Sequence, residues 1–155
     1  RRLEPFMANV GKRLTKSPKV YVRDAGLVHA LLRIETMDDL AGHPVVGPSW
    51  EGHAIETLIA SAGGADAYFY RTSGGAEVDL ILDFGARRGL RSGLMAIEIK
   101  RSAAPSASRG LTEAISDIAP KAAFVVYPGT ETFPLGRKVE AIGLEMLARR
   151  LAEDS

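Results

Sequence analysis

The chain has 155 residues, 46% apolar and 25% charged, with a formal net charge of +1 and no cysteine. These values suit one globular domain with a real core, and exclude a disordered or collagen-like chain, a disulfide framework and a thiolate metal site. No apolar run approaches the roughly 18 residues of a membrane span, and the start lacks the apolar stretch of a signal peptide, so a cytoplasmic protein with no membrane partner is expected.

From Arg1 to Arg23 seven basic residues (Arg1, Arg2, Lys12, Arg13, Lys16, Lys19, Arg23) face the single acid Glu4. Such a cationic segment can meet nucleic-acid phosphates, or run over the surface as a basic linker. The opening R-R-L-E-P-F-M-A-N begins with Arg1 rather than Met and offers no element long enough to start a domain, which predicts a piece of a longer polypeptide. Arg1 to Lys19 reads as a loop-rich lead-in, closed by K-S-P-K, where proline stops any helix. Val20 to Val22 then offer a short strand. Asp24 can cap a helix through about Arg33 with an apolar stripe of Leu27, Val28, Leu31 and Leu32, and Met37 to Ala41 add one more turn. Residues 1–46 are thus expected to be a basic lead-in with short helices belonging to the same domain as a core at 47–155.

Pro48 and Ser49 mark the start of the next helix and Gly63-Gly64 its end. At about 100° per residue, Trp50, Ala54, Ile55, Leu58, Ile59 and Ala62 fill one face, with Glu51 near its middle and Glu56 on the opposite side. A carboxylate centred on an apolar stripe needs a partner, so Glu51 is the helical acid expected to reach a site; the plainer alternative is a first-turn acid held by the helix dipole. Ala67 to Arg71 reads as a strand, and T-S-G-G as the turn into the stretch from Gly74 to Arg101. There Val78, Leu80 and Leu82 alternate with Glu77, Asp79, Ile81 and Asp83, and Met95, Ile97 and Ile99 with Ala96, Glu98 and Lys100: two strands joined by a basic turn.

Residues two apart share a strand face, so Glu98 and Lys100 point the same way, and in a hairpin Asp79 can join them. Two carboxylates and an ammonium at that spacing are what a magnesium-dependent phosphodiesterase requires, namely hard oxygen ligands and a cation beside the phosphate. The competing reading of Glu98 and Lys100 is a solvated salt bridge on an amphipathic strand. Ser106 or Ser108 opens a helix with the stripe Leu111, Ala114, Ile115 and Ile118, ended by Pro120, and Ala122 to Tyr127 reads as a strand buried on both faces. A strand, a helix and a buried strand predict a crossover and a parallel pair. Val139 to Ile142 is expected as a last edge strand, and Leu144, Leu147, Ala148 and Leu151 as a terminal helix. His29, His43 and His53 lack mutual ligand spacing. Glu77 is a candidate auxiliary ligand, Tyr68, Phe69 and Tyr70 are read as core or base-stacking aromatics, and no P-loop occurs.

The order helix, strand, strand, strand, helix, strand predicts an α/β fold with a mixed sheet and a helix on each face. This order, with Glu51, Asp79 and Glu98-Ile99-Lys100, resembles the PD-(D/E)XK nuclease superfamily of restriction-endonuclease-like folds, although Val78 stands where the name has proline. More closely, K-S-P-K-V-Y-V-R-D-A-G-L, G-P-S-W-E-G-H-A-I-E-T-L, Y-F-Y-R-T-S-G-G-A-E-V-D and A-I-E-I-K-R-S resemble a prokaryotic domain of unknown function that follows an AAA-type P-loop ATPase in the same polypeptide. The resemblance implies DNA as partner, and magnesium, or manganese in its place, on Asp79, Glu98, the Ile99 carbonyl and Glu51, with Lys100 orienting the nucleophile. It equally allows a catalytically inactive DNA-docking or regulatory module of the ATPase. Oligomeric state is left open.

Overall fold

The computed structural model describes residues 1–7, 17–85 and 93–153. The basic turn expected between the central strands, and Lys12, Arg13 and Lys16, fall largely or wholly outside them. The elements are β1 (Arg2–Pro5), β2 (Lys19–Val20), α1 (Ala25–Leu31), α2 (Met37–Gly42), α3 (Val46–Ser61), β3 (Asp66–Arg71), β4 (Glu77–Asp83), β5 (Leu94–Ile99), α4 (Arg109–Ile118), β6 (Ala122–Tyr127), β7 (Thr132–Pro134), β8 (Val139–Gly143) and α5 (Leu144–Glu153). They build a mixed sheet of eight strands in the order β2-β1-β3-β4-β5-β6-β8-β7. The expected antiparallel meander β3-β4-β5 is present, and β5 and β6 pair in parallel.

Two apolar layers sandwich the sheet. Leu80, Leu82, Met95, Ile97, Ile99 and Val126 pack against Ala54, Ile55 and Leu58 of α3 and Leu147 and Leu151 of α5. On the other face Val78, Ile81, Ala96 and Val125 pack against Leu111 and Ala114 of α4. Helix α4 begins where the sequence places it, since the Ser108 hydroxyl accepts from Leu111 N at 3.1 Å. It ends at Ala119 in the left-handed conformation, just before Pro120. Gly110 lets it sit directly on β4: a Cβ there would lie 2.7 Å from Glu77 O and 2.8 Å from Glu77 N, both immovable backbone atoms. Gly110→Ala is expected to cost about 1–3 kcal/mol despite alanine's better helix propensity, seen as a lowered urea midpoint with unchanged slope.

Four expectations are corrected. The opening residues are not merely a loop, because β1 pairs in parallel with β3 (Glu4 opposite Tyr68, Pro5 opposite Phe69) and buries Leu3; its partner lies too far along the chain to be read locally. Val139–Gly143 is an interior strand between β6 and β7, so the edge is the unforeseen β7. The stripe on α1 is not buried: Leu27, Leu31 and Leu32 are exposed. Nor do Val78, Leu80 and Leu82 share a face. The register steps from Tyr68–Ile81 to Tyr70–Val78, two residues in β3 against three in β4, and this bulge puts Val78 in the α4 layer and Leu80 in the α3 layer.

Candidate functional site

The bulge sets the site. Regular alternation would give Asp79 the face of Glu98; with the extra residue, Asp79 instead reaches toward α3, and pairing with β5 is traced only as far as Leu80 opposite Ile97. Beyond that point the Asp79 carboxylate continues the ladder in place of backbone, its Oδ2 accepting from Ile99 N at 2.8 Å. Its Oδ1 lies 3.6 Å from Lys19 Nζ, which also ion-pairs with Glu77 Oε1 and stands 3.4 Å from Glu51 Oε1. The same Glu51 oxygen accepts from the Tyr21 hydroxyl at 2.6 Å. Lys19 and Tyr21 are two apart on an extended segment, which turns both toward the cluster. Arg71 closes the far side with a bidentate pair to Glu77 at 2.8 and 2.7 Å.

Three carboxylates therefore surround one ammonium whose side chain is only 13% exposed. Burial raises the Asp79 pKa from an ordinary 3.8 to about 6, helped by the charges of Glu51 and Glu77 and opposed by the Ile99 bond and Lys19. Burial also pulls Lys19 down, but the Glu77 bond and the charges of Asp79 and Glu51 outweigh it and leave it above the ordinary lysine value. Burial, then the Glu51 bond, push the Tyr21 phenol far up, so it stays a donor. Glu77 ends below the ordinary value: burial raises it, but Arg71 and Lys19 together prevail.

Of the residues expected from sequence, Glu51 and Asp79 meet here, on Lys19. Glu56 stays out of the cluster, holding Arg1 at 2.7 Å and Arg23 at 2.9 Å, but it is not on an open face as the angle argument expects, since its side chain is 13% exposed against 31% for Glu51. Glu98 and Lys100 form a separate pair. Glu98 lies in register with Val125 of the α4 layer, accepts from Ser108 N at 3.0 Å, and binds Lys100 Nζ at 2.6 Å. Lys19, Tyr21 and Arg71 were not foreseen in the site; the signal was the K-V-Y spacing, hidden because its partners lie on remote elements.

The donor set can be tested against magnesium, which needs several oxygens at about 2.1 Å in octahedral array. Among the described residues no group of three or more His, Cys, Asp or Glu side chains stands where it could hold a metal ion. The Asp79 and Glu98 carboxylates are each held by a backbone N–H and a lysine. As arranged, the residues do not fit the ion.

The profile of Domain of unknown function (DUF4143) matches residues 46–147, most of the sheet and both helical layers. The chain belongs to the DUF4143 family. DUF4143 domains typically accompany ATPase domains. A second profile, Domain of unknown function (DUF8612), matches residues 1–38, so Lys19 and Tyr21 come from one matched segment and Glu51, Glu77 and Asp79 from the other. Uncharacterized proteins of Mycobacterium bovis and Mycobacterium tuberculosis are each 39% identical over 147 residues, covering 95% of this chain and 32% of theirs. The chain thus spans about a third of the length of the curated relatives it matches. No solved structure matches it. Among the described residues no helix is long and apolar enough to cross a membrane.

Proposed function

We propose that this DUF4143 domain is a non-catalytic regulatory module of a longer, ATPase-containing polypeptide. The observation that carries the reading is the division of the four expected site residues into two sets, Glu51–Asp79 on Lys19 and Glu98–Lys100 on Ser108, each already satisfied by protein partners. A cation-assisted hydrolase needs its carboxylates free to take up a metal; here an ammonium and backbone amides occupy them. Among the described residues the basic lead-in gives DNA little support as partner, because Arg1 and Arg23 are paired with Glu56, Arg2 with Glu4, and Lys19 with the cluster.

A second reading, magnesium- or manganese-dependent cleavage of DNA, is favoured by one feature: Glu51 and Asp79 do converge on a single cation position, the one Lys19 holds. The two readings separate in the full-length protein, incubated with plasmid and single-stranded DNA in magnesium or manganese. Cleavage no greater than that of the Asp79→Asn and Lys100→Met proteins is expected. ATP turnover is expected to change at least twofold when the whole domain is removed. Metal-dependent cleavage abolished in both variants would overturn the regulatory reading.

A further inference from the structure

Helices α1 and α2 contain no buried residue, although each is well capped: Asp24 accepts from Leu27 N at 3.0 Å, and Thr36 and Asp39 form a capping box. Isolated helices of seven and six residues are not stable in water, and protein helices of this kind are held by burying an apolar face. Here Val28 and Leu40 are half-buried, but the larger apolar side chains beside them point outward: Leu31 is 76% exposed, Met37 77% and Val20 76%, with Val22, Leu27 and Leu32 near them in sequence. A polar contact adds to their anchoring, His29 Nε2 lying 2.6 Å from the Ser49 hydroxyl of α3. Between α1, α2 and α3 runs a cavity of about 450 Å³, lined among others by Ala25, His29, Met37, Leu40, Trp50 and Pro128. A largely apolar cleft framed by outward-facing leucine and methionine suits a partner rather than the folding of this domain.

Its occupant follows from where the patch lies. Val20, Leu27, Leu31 and Met37 all fall within residues 1–38, the segment matched by the second profile, outside the DUF4143 match. In the mycobacterial relatives about two thirds of the polypeptide lies beyond the aligned segment. We propose that the α1–α2 face is the seat on which the remaining, ATPase-bearing part of the longer polypeptide packs, inserting apolar side chains into the cleft between α1, α2 and α3. This rests on the regulatory reading and names the surface through which it acts.

The test is amide hydrogen exchange on the full-length protein and its Leu31→Asp/Met37→Asp variant. Both side chains are exposed in this domain, so the changes leave its core intact, and exchange in β4 and β5 checks the fold in the same experiment. The expected result is at least tenfold faster exchange across residues 25–42 in the variant, with β4 and β5 unaltered. Equal exchange in parent and variant would overturn the proposal. So would protection that depends on protein concentration and vanishes as a parent dimer becomes a variant monomer, which would make a second copy the occupant. DNA cleavage in the separate assay would sink the regulatory reading while leaving this result standing.

Discussion

Replacing Asp79 by Asn is expected to stabilise the protein at neutral pH by about 1–3 kcal/mol, a rare outcome for a buried polar position. The Asp79 pKa is raised on folding, from an ordinary 3.8 to about 6. Between those values the native state holds a proton that the unfolded state has lost, so its contribution to stability falls as pH rises from about 4 to about 6 and stays low above. Asparagine keeps an oxygen for the Ile99 amide and removes the charge that burial, Glu51 and Glu77 disfavour. The gain is partly offset by the lost attraction to Lys19. Urea midpoints of parent and variant should converge near pH 4 and separate by pH 7. A variant less stable than the parent at pH 7 would show that Lys19 more than compensates the charge.

Replacing Lys19 by Met should act in the opposite direction, with a loss of about 2–4 kcal/mol. The ammonium is the common partner of Glu51, Glu77 and Asp79, and without it Arg71, on the Glu77 side, is among the described residues the one cation left to offset three neighbouring carboxylates. Adding Asp79→Asn should recover part of the loss, a coupling of about 1 kcal/mol or more in a double-mutant cycle, because it relieves the repulsion that the first change exposes. Additive effects would mean that Lys19 and Asp79 do not sense one another across their 3.6 Å separation.

What the sequence disclosed was what local chemistry controls. The α4 cap at Ser108, the stop at Pro120, the buried run of β6 and the reach of Glu51 toward the site all depend on neighbours within a turn or on helical angle, and all stand in the structure. The bulge in β4 could not be read in the same way. It exists only as a mismatch with β3, and the string V-D-L-I-L reads as plain alternation until a partner strand supplies the register. That single extra residue decides which face Asp79 serves, so the pairing of Asp79 with Lys19 rather than with Glu98 was hidden along with it. The basic lead-in was legible as charge but not as structure, because the acids that use up Arg1, Lys19 and Arg23 sit on α3 and β4.

The parallel pairing of β1 with β3 makes the folding unit of this chain larger than either matched segment. The two matched segments meet between residues 38 and 46, yet the hydrogen-bonded sheet runs across that seam, Phe6 N bonding Phe69 O at 2.7 Å. A graft of residues 46–147 alone would bare the edge of β3, leave Phe69 without the cover of Leu3 and its neighbours, and present open backbone to any passing strand. Such a graft would lack both the first strand and the lysine behind it on which Glu51, Glu77 and Asp79 converge.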